Sequence, residues 1–136
     1  MREKCVAICS IFMFLIAACG YKAPPPGKPE LKGPSIEIVS PSQRDTVSDT
    51  VQVVVNVSDP SGVAIVLLLV DGTEVVRDSV EPYELRFDTS QFFDGEHQIL
   101  VKASDRWDNW STSKPLTLIF KNGKVERHEN KRDTGR

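Results

Sequence analysis

Apolar and polar residues alternate through most of residues 36–120, and the period is two. Ile36 and Ile38 flank Glu37 before Ser40-Pro41-Ser42 interrupts the run, which predicts a short first strand. Val51, Val53, Val55 and Val57 then share one face of a β-branched run, the composition that best fits a pleated surface. Asp59-Pro60-Ser61-Gly62 reads as a turn. The run 63–70 is apolar without interruption and closes at Asp71-Gly72, a hairpin signal with Val75-Val76 as its return strand. Alternation resumes over 83–87 and 97–103, and 116–120 closes the series after a polar, Trp-containing loop at 104–113. Seven short strands with turn signals between them, and no helical period, predict an all-β antiparallel sandwich.

The same residues carry a family resemblance. Ser58-Asp59, Gly62-Val63, Val70-Asp71-Gly72, Glu81-Pro82-Tyr83, Phe87-Asp88-Thr89-Ser90, Asp94-Gly95-Glu96-His97, Ala103-Ser104-Asp105 and Asp108-Asn109 resemble, in order, the pattern of bacterial Ig-like domains. The resemblance implies an Ig-like β-sandwich over 36–120. Such modules occur in secreted, surface and carbohydrate-active proteins, and their fold hosts many unrelated functions.

One strand departs from the family pattern. If Val66, Leu68 and Val70 point inward, then Ile65, Leu67 and Leu69 point outward. With Leu100 and Ile119 they give an apolar outer face on one sheet. Monomers seldom expose a contiguous patch of more than a few hundred Å² unless it meets something. The face is therefore expected either to bind another protein or a second copy, or to be covered by residues 21–34, by residues 121–136 or by bulky neighbours.

Charge separates the parts of the chain. Residues 36–120 hold six basic and fourteen acidic side chains, a net of −8, whereas 121–136 hold six and three, a net of +3. An acidic domain is a poor partner for nucleic acid. The tail is polar and lacks apolar periodicity, so it is expected to be a disordered basic extension.

Candidate chemistry is sparse. Asp59, Asp105, Asp108 and Asn109 fall in two loops that a sandwich brings to one end, where converging oxygens would suit calcium. The competing expectation is that they cap their own turns. Trp107 and Trp110 in the same loop would suit stacking on sugar rings, against the alternative that an indole folds over the sandwich end. His97 is expected to point inward and His128 lies in the tail. With no catalytic cysteine, glycine-rich phosphate loop or zinc ligand set, an enzyme is not expected, and no cofactor beyond a covalent lipid is implied.

That lipid is suggested by the N-terminus. Arg2 and Lys4 precede about a dozen mostly apolar residues, and Leu15-Ile16-Ala17-Ala18-Cys19 closes the run. The run is shorter than the roughly 20 residues a spanning helix needs. This pattern resembles the lipobox of bacterial lipoproteins, which implies cleavage after Ala18 and acylation of Cys19. Gly20 in place of aspartate implies outer-membrane sorting if the organism has two membranes. Cys5 and Cys9 precede the cleavage point, so the mature chain would hold no other thiol. Residues 21–34 read YKAPPPGKPELKGP, an extended spacer. The expected division is a signal peptide at 1–18, a lipidated cysteine with its linker at 19–35, the sandwich at 36–120 and the tail at 121–136.

Overall fold

The period-two pattern becomes nine strands in a computed structural model that describes residues 31–126. They are β1 (Ser35–Ser40), β2 (Thr46–Val47), β3 (Thr50–Ser58), β4 (Val63–Val70), β5 (Thr73–Asp78), β6 (Leu85–Asp88), β7 (Gly95–Asp105), β8 (Trp110–Thr112) and β9 (Leu116–Phe120), with one 3-10 turn at Thr89–Gln91. All seven expected strands form. The additional two, β2 and β8, hold two and three residues, too few to show a period.

Two sheets face each other. The smaller has the order β1-β3-β6 and the larger β2-β9-β7-β4-β5, with β8 also pairing β7. β7 is long enough to pair β9 with its first half and β8 with its second, so both lie along one of its edges. The core is the meeting of the inner faces. Val51, Val53, Leu85 and Phe87 from the small sheet oppose Val66, Leu68, Val70, Ile99, Val101, Leu116, Leu118 and Phe120 from the large one, all buried. Val66, Leu68 and Val70 are fully buried, the inward set that alternation requires.

Turn chemistry sets the register. Asp71 and Gly72 both have positive φ, 50° and 84°, as a two-residue hairpin between twisted strands demands. The Asp71 carboxylate also accepts from the Gln98 amide at 2.9 Å and contacts His97 Nδ1 at 2.5 Å, which ties the hairpin to β7. His97 Nε2 reaches the Phe93 carbonyl at 2.8 Å, and its ring stacks on Phe120 with centroids 4.2 Å apart. Phe87 and Phe92 close around the same ring, so this end of the sandwich is plugged by aromatics.

Both flanks of the domain are longer than the pattern implies. Pro34 is buried, and a Cβ on Gly33 would lie 2.8 Å from the Trp110 carbonyl carbon and 2.9 Å from the Asn109 oxygen. The chain thus runs against β8 before β1 begins, at a position where only glycine fits. At the other end Asp94 accepts from the amides of Asn122, Gly123 and Lys124 at 2.7, 2.9 and 3.2 Å. Asn122 Oδ1 in turn accepts from the Asp49 amide at 2.8 Å. Residues 121–124, assigned above to the tail, belong to the folded unit, and residues 127–136 lie outside the described residues.

Because Phe120 fills the space between the sheets and carries the aromatic plug, Phe120→Ala should lower the free energy of unfolding by about 3–5 kcal/mol. Denaturant titration followed by far-ultraviolet circular dichroism would show this, and a change below 1 kcal/mol would contradict the packing.

Candidate functional site

The polar residues singled out by the sequence gather at the end of the sandwich where the chain enters β1. Val63 pairs with Asp105, and the Arg106 amide donates to the Gly62 carbonyl at 3.2 Å, so the 59–62 and 105–109 loops lie side by side. Asp105 closes the second loop. It is 1% exposed, and its Oδ1 accepts from the amides of Trp107 and Asn109 at 2.8 and 2.9 Å, while Oδ2 accepts from Asn109 Nδ2 at 2.8 Å. Burial pushes its carboxyl up, but the bonds from Asn109 and Trp107 together outweigh burial and hold it below the ordinary aspartate range.

Asp59 and Asp108 also accept hydrogen bonds within their own loops. Asp59 Oδ1 accepts from the Ser61 amide at 2.8 Å and from Ser61 Oγ at 2.5 Å. Asp108, at φ 64°, accepts from Trp110 Nε1 at 2.9 Å. Each carboxylate therefore serves its own loop, and among the described residues no group of three or more acidic, His or Cys side chains is placed to hold a metal ion. The calcium set expected at Asp59, Asp105, Asp108 and Asn109 is not assembled among the described residues: the Asp59 and Asp105 oxygens are taken by amides of their own turns and that of Asp108 by the Trp110 indole.

The two indoles are treated differently. Trp107 is half-buried, whereas Trp110 on β8 is 49% exposed with its N–H tied to Asp108.

The expected apolar outer face is mostly covered. Leu67 is only 8% exposed, and Ile65, Leu69, Leu100 and Ile119 are half-buried. In the ladder Leu67 sits between Arg77 on β5 and Lys102 on β7, whose aliphatic stems can cover it while their charges reach water. A register shift after Leu68 brings Glu74 beside Leu69, and Glu74 takes Arg77 in two hydrogen bonds of 2.9 and 3.1 Å. Leu69 and Leu100 are direct cross-strand partners, but Ile119 pairs with Glu96 and is separated from them by the Gln98–Thr117 pair. The five residues are not one patch, because the register of β9 places Ile119 farther along β7.

The Asp94 clasp on residues 122–124 was missed by strand periodicity. Its signal is the Asn122-Gly123 turn pair after the last strand. The donated amides, Asn122 first, hold the Asp94 carboxyl below its ordinary range against a weaker upward push from burial. Cys19 and the 1–18 signal segment lie outside the described residues.

Residues 34–101 match the bacterial Ig domain family. The chain belongs to that family. The bacterial Ig domain continues in the fold through β8 and β9, beyond the matched span. Among solved structures, the fibronectin(III)-like modules of Clostridium thermocellum CbhA are similar to it at 25% identity and a TM-score of 0.53, covering 74% of this chain and 53% of that one. The endo-β-1,4-mannanase of Thermotoga petrophila is similar at 18% identity and a TM-score of 0.54, covering 69% of this chain and 21% of that one. The chain thus spans about half of the first protein's length and about a fifth of the second's, and the second likeness concerns fold alone. No curated protein matches the sequence.

The depressed carboxyls make stability depend on pH in one direction. Ionised Asp105 and Asp94 contribute stability that is complete above the unfolded aspartate value of about 4 and is lost as pH falls through their lower folded values. Thermal unfolding should therefore show a falling midpoint from pH 5 toward pH 2. Asp105→Asn should cost about 1–3 kcal/mol at pH 7 and flatten the acid limb. An unchanged acid limb in the variant would remove Asp105 from this role.

Proposed function

We propose that this chain is a lipid-anchored protein of the bacterial cell envelope whose Ig domain is a non-catalytic module that holds a partner. One observation carries the reading: among the described residues, the carboxylates and the histidine singled out by the sequence are engaged within the domain. Asp59, Asp105 and Asp108 cap loops, and His97 is held between Asp71 and Phe93. What the domain offers is a surface of fixed shape.

The anchor rests on the small residues Ala17-Ala18 before Cys19 at the end of a short apolar run. Diacylglycerol and an N-acyl chain such as palmitate on Cys19 would hold the protein firmly, since more than one chain is needed for stable insertion. A lipid there would tether the domain through its Asp105 end, because the chain enters β1 beside β8. About thirteen residues between Cys19 and Gly33, at roughly 3.1 Å each, would allow a distance of up to about 40 Å. In a two-membrane organism the reading is the outer membrane.

A second reading, a glycan stacked on Trp110, draws on the exposure of that indole and on its fixed orientation through Asp108. Trp110→Ala should then abolish retention on purified cell-wall glycan, while equal retention would end this reading.

The anchor is tested by fractionating cells that express wild-type protein or Cys19→Ser. The wild type should sediment with membranes and the variant should be soluble. Equal solubility of both would refute the anchor.

A further inference from the structure

The small sheet is unevenly paired. β6 accompanies β3 only from Thr50↔Asp88 to Val53↔Leu85, whereas β1 follows the other side of β3 as far as Ser58. From Val54 to Ser58, the side of β3 that β6 leaves has no strand beside it among the described residues. No backbone hydrogen bond joins it to residues 79–84 among the described residues. Alternate residues of such a strand point their N–H and C=O to opposite sides, so about two or three of these five aim theirs at the open side.

The connection that could have filled this side is held off it. Asp78 accepts from the amides of Val80 and Glu84 at 3.0 and 2.8 Å, which folds 78–84 into a loop. A groove of about 550 Å³ separates that loop from β3. Val55, Val57 and Tyr83 form an apolar floor, half-buried and packed on the core. Glu81 and Glu84 line the far wall, and the groove continues into a second hollow of about 410 Å³ bordered by Asp59 and Arg106. Burial first, and then the charges of Glu81 and Asp78, raise the Tyr83 phenol above its ordinary value, which agrees with a negative potential over the floor.

Open edges are usually guarded by lysine, proline or a bulge. β1, the outer strand of this sheet, has a bulge between Ile38 and Ser40. The open stretch Val54-Val55-Asn56-Val57-Ser58 has neither a charge nor a proline, and Val54 is 41% exposed. A second copy would bring Glu81 and Glu84 against their own equivalents. The chain's own linker is rich in proline, which lacks the amide a strand must donate.

We propose that the open β3 edge and its acidic wall bind an extended cationic segment of a partner protein by strand addition. Five residues at about 3.3 Å each match the open stretch. Alternate side chains of the added strand would rest on Val55, Val57 and Tyr83, and the others would meet Glu81 and Glu84. The inference builds on the reading of the domain as a binding module and names its partner class.

The full chain in detergent, with a synthetic peptide of alternating lysine and valine as probe, tests it by amide hydrogen exchange and fluorescence anisotropy. Binding should slow exchange at least tenfold at the groove-facing amides of residues 54–58. Glu81→Lys with Glu84→Lys should weaken the probe at least tenfold, and a peptide carrying glutamate for lysine should not bind. Val54→Lys, which places a guard on the edge, should also weaken it without moving the unfolding midpoint. The proposal is overturned if the probe does not bind, if it binds without protecting 54–58, if a proline-substituted peptide binds as well, or if those amides are already protected in the free chain. Detergent removes any dependence on anchoring, so failure here is distinct from failure of Cys19→Ser to release the protein.

Discussion

Everything in this domain depends on the apposition of two inner faces, with Val53 and Leu85 on one side and Leu68, Val101 and Leu118 on the other, all fully buried. Neither sheet could bury these residues alone. Their removal from water, at roughly 25 cal/mol per Å² of apolar surface, is the main term that offsets the ordering of the backbone. The long central strand β7 makes the larger face possible, since it pairs with β4, β8 and β9 together.

Once the faces meet, the two ends must be closed, and the chain closes each differently. One end is filled by aromatic rings around Phe120 and by His97 stacked on it. The other is closed by carboxylates that gather backbone donors, above all the buried Asp105. A buried carboxylate with these bonds is tolerated, whereas one without them would be costly. This explains why the acidic character of the domain does not translate into a metal cluster among the described residues.

Unequal sheets leave a consequence at the boundary. β6 has four residues and β3 has nine, so the small sheet cannot cover its own central strand to the end. Val55 and Val57 are half-buried for that reason, although they continue the alternation of the buried Val51 and Val53. The groove along β3 follows from this mismatch in length.

The strand set was legible in the sequence because alternation depends only on neighbouring residues. The Asp71-Gly72 hairpin was legible too, because positive φ restricts which residues can stand there. The family pattern in the turns pointed to the same sandwich. Exposure was not legible. Leu67 looked free until Arg77 and Lys102 were placed on either side of it, and Ile119 joined an outer face in one dimension but not in register. Nor did the sequence show that Asp94 would reach residues 122–124 or that Gly33 would lie against β8, since both contacts join segments distant along the chain. Local pattern determined the elements and their inward faces. Tertiary structure alone decided which outward residues meet water, because cover is supplied by side chains from other strands.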